Sequence, residues 1–157
     1  MLRLTLHVFA AGILCLFVHE CGHILAGWLT GGTIKQFVVF SLRPHVQFLE
    51  QCTAAQYAFR AAAGSGLLWL LYFCFLLLRL RQRVSYLTSS LITCFAFVEL
   101  LGWVLSALFP GAGDNDAEAF LAASGISPYL VVTICLLIAC AGAVSFRANR
   151  PSAPVPA

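Results

Sequence analysis

His19, Glu20 and His23 fall within a stretch of five residues, HECGH, in a chain of 157 residues with only 4 histidines and 6 acidic residues. Residues four apart on a helix share a face, so both imidazoles can turn a ring nitrogen toward one ion at a Zn–N distance of about 2.0–2.1 Å. Glu20, about 100° further round the axis, stays outside that ligand pair. This is the HExxH arrangement, in which the glutamate takes a proton from water activated by the metal. Neutral imidazoles leave a zinc ion enough positive charge to bring the pKa of a bound water to about 7. A carboxylate beside that water can accept its proton and pass it to a leaving amine. The plain alternative is three polar residues satisfied by neighbouring helices.

A catalytic zinc has three protein ligands and one open position, so the pair needs a third ligand from elsewhere. GAGDNDAEAF, residues 111–120, offers Asp116, with Asp114 as the alternative. Both also have an ordinary explanation. DNDAEAFLAASG, residues 114–125, reads as a short helix that starts after Asn115, with Glu118 as its capping-box partner and Gly125 as its stop. Acidic residues at such a start complement the helix dipole. Glu99, in FAFVELLGW, is the remaining acid within an apolar run. It either holds a ligating histidine through the second ring nitrogen or bonds across helices as a neutral acid. His7 and His45 read as incidental.

These residues must be positioned by membrane-spanning elements. The composition is 61% hydrophobic and 10% charged, against roughly 25% charged in soluble domains. Crossing about 30 Å of hydrocarbon takes about 20 apolar residues. Four runs qualify, at approximately residues 2–28, 54–78, 84–109 and 128–146. The expected fold is an all-α membrane protein with about four transmembrane helices, residues 1–146 forming a single domain and residues 147–157, polar and proline-rich, a disordered tail. Arg3 followed by an apolar stretch imitates a secretory signal, but the run is too long and lacks an A-x-A site, so it reads as a retained span. An ionised side chain at mid-bilayer costs about 2.5–3.5 kcal/mol on insertion scales, which makes acids and histidines in these runs functional candidates.

GGTIKQFVVFSLRPHVQFLEQ, residues 31–51, has a different texture. β-Branched and aromatic residues interrupted by Pro44 predict two short strands, near Ile34–Phe40 and His45–Leu49, as a hairpin-like segment after the first helix. AAAGSG, residues 61–66, and the Gly27/Gly31 pair predict surfaces for close helix contact. Six of the seven cysteines lie in apolar runs, and without a CxxC they read as small buried hydrophobes. The net charge of +3 resides in arginines that flank the runs, a pattern that excludes nucleic acid as partner and points to the lipid bilayer. Arg79, Arg81, Arg83, Arg147 and Arg150 would be cytoplasmic, with both termini, against Lys35, Arg43 and Arg60 in the first connection. Either way, an up-and-down chain gathers His19, Glu20, His23, Glu99, Asp114 and Asp116 at one side of the membrane.

HECGHILAGWLTGG on a first membrane helix, followed by a strand-like segment, resembles the site-2 protease family of intramembrane zinc metallopeptidases, in particular its small bacterial branch. The resemblance implies Zn2+ as cofactor, His19 and His23 as ligands and Glu20 as catalytic base. It matches NDAEAFLAASGISP to a late aspartate segment and favours Asp116 over Asp114. AAGSG is only loosely similar to the family's small-residue motif, with Ser65 where proline is common, and the Leu-Asp-Gly form of the aspartate motif is missing. The implied protein is a multi-pass enzyme of a bacterial cell membrane that cleaves membrane-protein or peptide substrates within or next to the bilayer, with an edge strand near the metal gripping the unwound substrate. The implied active site opens to the cytosol, whereas the arginine count puts it on the outer face. The rival expectation is a catalytically inactive pseudopeptidase that serves as a membrane binding or regulatory partner.

Overall fold

Helix α1 runs from Leu2 to Leu29 and stops for a local reason. Gly31 adopts φ +76°, and its N–H reaches Trp28 O at 3.0 Å while Gly32 N–H reaches Gly27 O at 2.7 Å. This is a Schellman ending, with glycine where the left-handed backbone needs it. The computed structural model describes residues 2–38, 45–49, 51–80, 86–111 and 116–148. Strands β1 (Ile34–Val38) and β2 (His45–Phe48) pair antiparallel, Val38 opposite His45 and Ile34 opposite Phe48, with Lys35 as the extra residue of a bulge. Residues 39–44, which include the end of the first expected strand and the turn, lie outside the described residues.

Helix α2 (Ala54–Leu80) begins at a reciprocal cap. Gln56 N–H donates to Thr53 Oγ1 at 3.3 Å, and Thr53 N–H donates to Gln56 Oε1 at 2.9 Å. Helix α3 spans Tyr86–Leu108, α4 Asp116–Ser124 and α5 Pro128–Ala148. Gly125, at φ +66°, ends α4, and Pro128 opens α5 at the first helical position, where its missing N–H is harmless. Arg147 and Ala148, expected in a tail, continue α5; residues 149–157 lie outside the described residues.

Helices α1, α2, α3 and α5 are long and apolar enough to cross a membrane, so the chain is an integral membrane protein. Helix α2 is the hub. Its Leu68, Trp69, Tyr72 and Leu76 pack with Ala11 and Cys15 of α1, Ile92, Ala96 and Leu100 of α3, and Val131 and Cys135 of α5. Tyr72, fully buried, donates its hydroxyl to Gly142 O at 3.0 Å and ties α5 to the hub. The outward surface is apolar, with Phe9, Phe17, Leu70, Leu101, Leu137 and Val144 all exposed, as lipid requires.

Two sequence expectations change. Gly31 terminates α1 and Gly27 faces the ring of Phe48, so the Gly27/Gly31 pair is not a helix-contact surface. The close helix contact is instead Gly22 against Ala63 and Gly64, where a Cβ on Gly22 would overlap Ala63 O. Cysteines divide as well. Cys15 and Cys135 are buried, but Cys74, Cys94 and Cys140 are exposed on the lipid-facing surface, where a small apolar thiol is equally at ease.

Candidate metal centre

One turn of α1 sets His19 and His23 side by side, with Nε2 atoms 3.0 Å apart. Helix α4 brings its first residue, Asp116, to both: Asp116 Oδ2 lies 2.8 Å from His19 Nε2 and 3.1 Å from His23 Nε2. Three possible ligand atoms therefore form a nearly equilateral triangle. Three corners of a tetrahedron around zinc, at bonds of about 2.0–2.1 Å, stand roughly 3.3 Å apart. The observed edges are close to that. Asp114 and Asn115 lie outside the described residues.

The far nitrogens show what this triangle can hold. His23 Nδ1 lies 2.7 Å from Arg60 O. A carbonyl only accepts, so Nδ1 carries the proton and Nε2 presents a lone pair. His19 Nδ1 faces Glu99 Oε1 at 3.5 Å, longer than a hydrogen bond but on the side where a proton would leave Nε2 free for an ion. Burial pushes the Asp116 carboxyl up, but where the imidazoles carry protons on Nε2 their hydrogen bonds and charge hold it well below the usual carboxylate range, so protons and an ion compete for the same lone pairs. Two lone pairs and an ionised carboxylate about 3 Å apart repel one another unless a cation sits among them.

Two further observations fit an ion. A Cβ on Gly64 of α2 would stand 2.5 Å from His23 Nε2 and 2.7 Å from His19 Nε2. Only glycine leaves that face of the triangle open. Beside it, Glu20 is 4% exposed, and its Oε2 has no hydrogen-bond partner among the described residues. A buried polar oxygen left this way costs about 1–3 kcal/mol, which a water on the open face of the ion would relieve.

Arg60, by sequence only a charge for membrane orientation, joins the centre to the hairpin. It is 6% exposed. Its Nε donates to Thr30 Oγ1 at 2.8 Å, its guanidinium lies 4.5 Å from the centroid of the Phe48 ring, and its carbonyl holds His23. Phe48 in turn fills the notch at Gly27. Ser65 and Trp103 were missed as well: Ser65 Oγ donates to Glu99 Oε1 at 2.5 Å and accepts from Trp103 Nε1 at 2.8 Å. The one sequence signal for them is spacing, Glu99 and Trp103 being four apart on one face of α3.

A cavity of about 980 Å³ opens over the triangle. Its walls come from α1, α2, α3, α4 and the whole of β2, His45–Phe48. His45, expected to be incidental, therefore borders it. His7 is remote and exposed, with Nδ1 2.6 Å from Arg3 O. Comparison with family models, with curated proteins and with solved structures finds no match for this chain.

Proposed function

We propose that this chain is a zinc metallopeptidase of a bacterial cell membrane that hydrolyses peptide bonds of membrane-protein substrates within or next to the bilayer. The observation that carries the reading is the triangle of His19, His23 and Asp116 beside a buried Glu20 whose Oε2 has no hydrogen-bond partner among the described residues. That combination pairs a ligand set with a base. A zinc ion, when bound, polarises the substrate carbonyl and acidifies a water.

The chain's own groups do the rest. His19 and His23 hold the ion as neutral ligands, and Asp116 supplies the one negative charge in the set. Glu20 Oε2 accepts a proton from the attacking water and returns it to the departing amine. Burial keeps Glu20 free of competing bulk water. Strand β2 lines the cavity along its whole length, whereas β1 contributes only Lys35, so β2 is the strand to which an unwound substrate would add. Main-chain hydrogen bonds there would give affinity without requiring a sequence.

The decisive experiment combines metal analysis with cleavage. Purified protein should hold about one zinc, lost in His19→Ala and His23→Ala. Glu20→Gln should keep the zinc and lose at least about 10²-fold in cleavage of a membrane-protein substrate, the scale of a general base. No zinc in the wild type overturns the proposal, and zinc without any Glu20-dependent cleavage identifies the pseudopeptidase instead.

A further inference from the structure

Glu99 lies within a membrane-spanning helix, yet its Oε1 faces two groups that carry protons. Ser65 Oγ is 2.5 Å away and His19 Nδ1 is 3.5 Å away. Behind Ser65 stands Trp103, whose Nε1 lies 2.8 Å from Ser65 Oγ. An indole N–H only donates. Ser65 Oγ therefore accepts from Trp103 and points its own hydrogen at Glu99. The direction of the chain is set at its far end, and each bond polarises the next. One carboxyl oxygen that faces both the Ser65 hydroxyl and the Nδ1 edge of His19 can accept from both.

We propose that Trp103, Ser65 and Glu99 form a positioning relay for His19. The relay keeps the proton on His19 Nδ1, keeps Nε2 bare toward His23 and Asp116, and raises the basicity of the ring toward a metal. Glu99 is a positioning residue, since its carboxylate touches His19 and not the triangle. The relay spans three helices: α3 supplies Glu99 and Trp103, α2 supplies Ser65 next to Gly64, and α1 supplies His19. Ser65 is 5% exposed, so the hydroxyl is sheltered from any other donor. The proposal rests on the metal-centre reading but not on peptidase activity.

Zinc affinity of the purified full chain, measured by competition with a chelator, tests it. Glu99→Gln keeps the shape and removes the charge, and should weaken zinc binding about 10–100-fold, the usual effect of losing an outer partner of a ligating histidine. Ser65→Ala and Trp103→Phe should weaken it less in the wild-type background and not at all in the Glu99→Gln background, because each acts only through Glu99. With Co2+ in place of zinc, Glu99→Gln should shift the visible absorption bands at unchanged metal content, which a purely structural role would not do. If Glu99→Gln binds zinc as the wild type does, or if Ser65→Ala costs the same in both backgrounds, the relay is overturned while the metal centre stands. If Glu99→Gln fails to fold, the Ser65→Ala and Trp103→Phe variants and their double variant decide: equal, non-additive losses support the relay, and unchanged affinity overturns it. A wild type without His19-dependent zinc overturns the centre and the relay together.

Discussion

Gly64 contributes to the centre through what it lacks. Helix α2 approaches α1 so closely that a Cβ on Gly64 would stand within 2.7 Å of both Nε2 atoms, inside the space where an ion or its open coordination position would be. Neither histidine can step aside: His23 is held by Arg60 O at 2.7 Å, and His19 lies between Asp116 and Glu99. Gly64→Ala should therefore reduce zinc affinity beyond the roughly 10–100-fold caused by loss of an outer partner, although alanine is the better helix former by about 1 kcal/mol. Zinc content after dialysis, read beside helicity by circular dichroism, checks this. Retained helix with lost metal is the expected pair, and unchanged zinc would mean that the open face lies elsewhere. Asp116, by contrast, supplies a charge: its carboxyl lies below the ordinary carboxylate range where the neighbouring imidazoles carry protons on Nε2.

At the scale of elements, the hairpin is docked by one aromatic ring. Phe48 enters the notch where α1 has Gly27, and a Cβ there would overlap the ring. Arg60 covers the other side of Phe48 and reaches Thr30 at the end of α1. The same Arg60 carries the carbonyl that holds His23, so the position of β2 and the orientation of a ligand meet in one residue. Gly27→Ala must push Phe48 out and shift β2 while leaving the triangle, one helical turn away, in place. If β2 grips substrate, a shift of about 1 Å is enough to lower the rate about 10²-fold. Cleavage kinetics of Gly27→Ala should show that loss at unchanged zinc content. Equal activity with a displaced hairpin would remove β2 from substrate binding.

For the whole molecule, the helix order is legible in the sequence, because lipid demands apolar runs of about 20 residues and Gly125 marks where α4 stops, whereas the Gly31 stop of α1 and the Thr53 cap of α2 emerge only in the structure. HECGH gives the pair of imidazoles of the proposed metal site at once. The rotation of each helix about its axis is not legible, because a helix apolar all round has no stripe to say which side faces inward. Ser65 meets Glu99 across 34 residues, and His19 meets Asp116 across 97, only after those rotations are set. Asp114 and Asp116 fit the helix start equally well as sequence; the placement of α4 puts Asp116 at the triangle. That placement has a thermodynamic consequence. Helix α4 packs on α2 and α3, but its only tie to α1 described at this site is Asp116 between the two histidines. An ion there would cross-link residues 19, 23 and 116, and binding to the folded state alone would stabilise it by about 4 kcal/mol at a thousandfold excess over Kd. For a chain of this size that corresponds to an apparent Tm shift on the order of 10 °C. A chelator should lower the Tm of the wild type by that order and leave Asp116→Ala, already without the cross-link, nearly unmoved. Hydrogen exchange should rise first in α4, while the Tyr72–Gly142 contact of α5 keeps its protection. A chelator shift of equal size in Asp116→Ala would show that the ion is held without α4, and the third ligand would have to be sought among other acids.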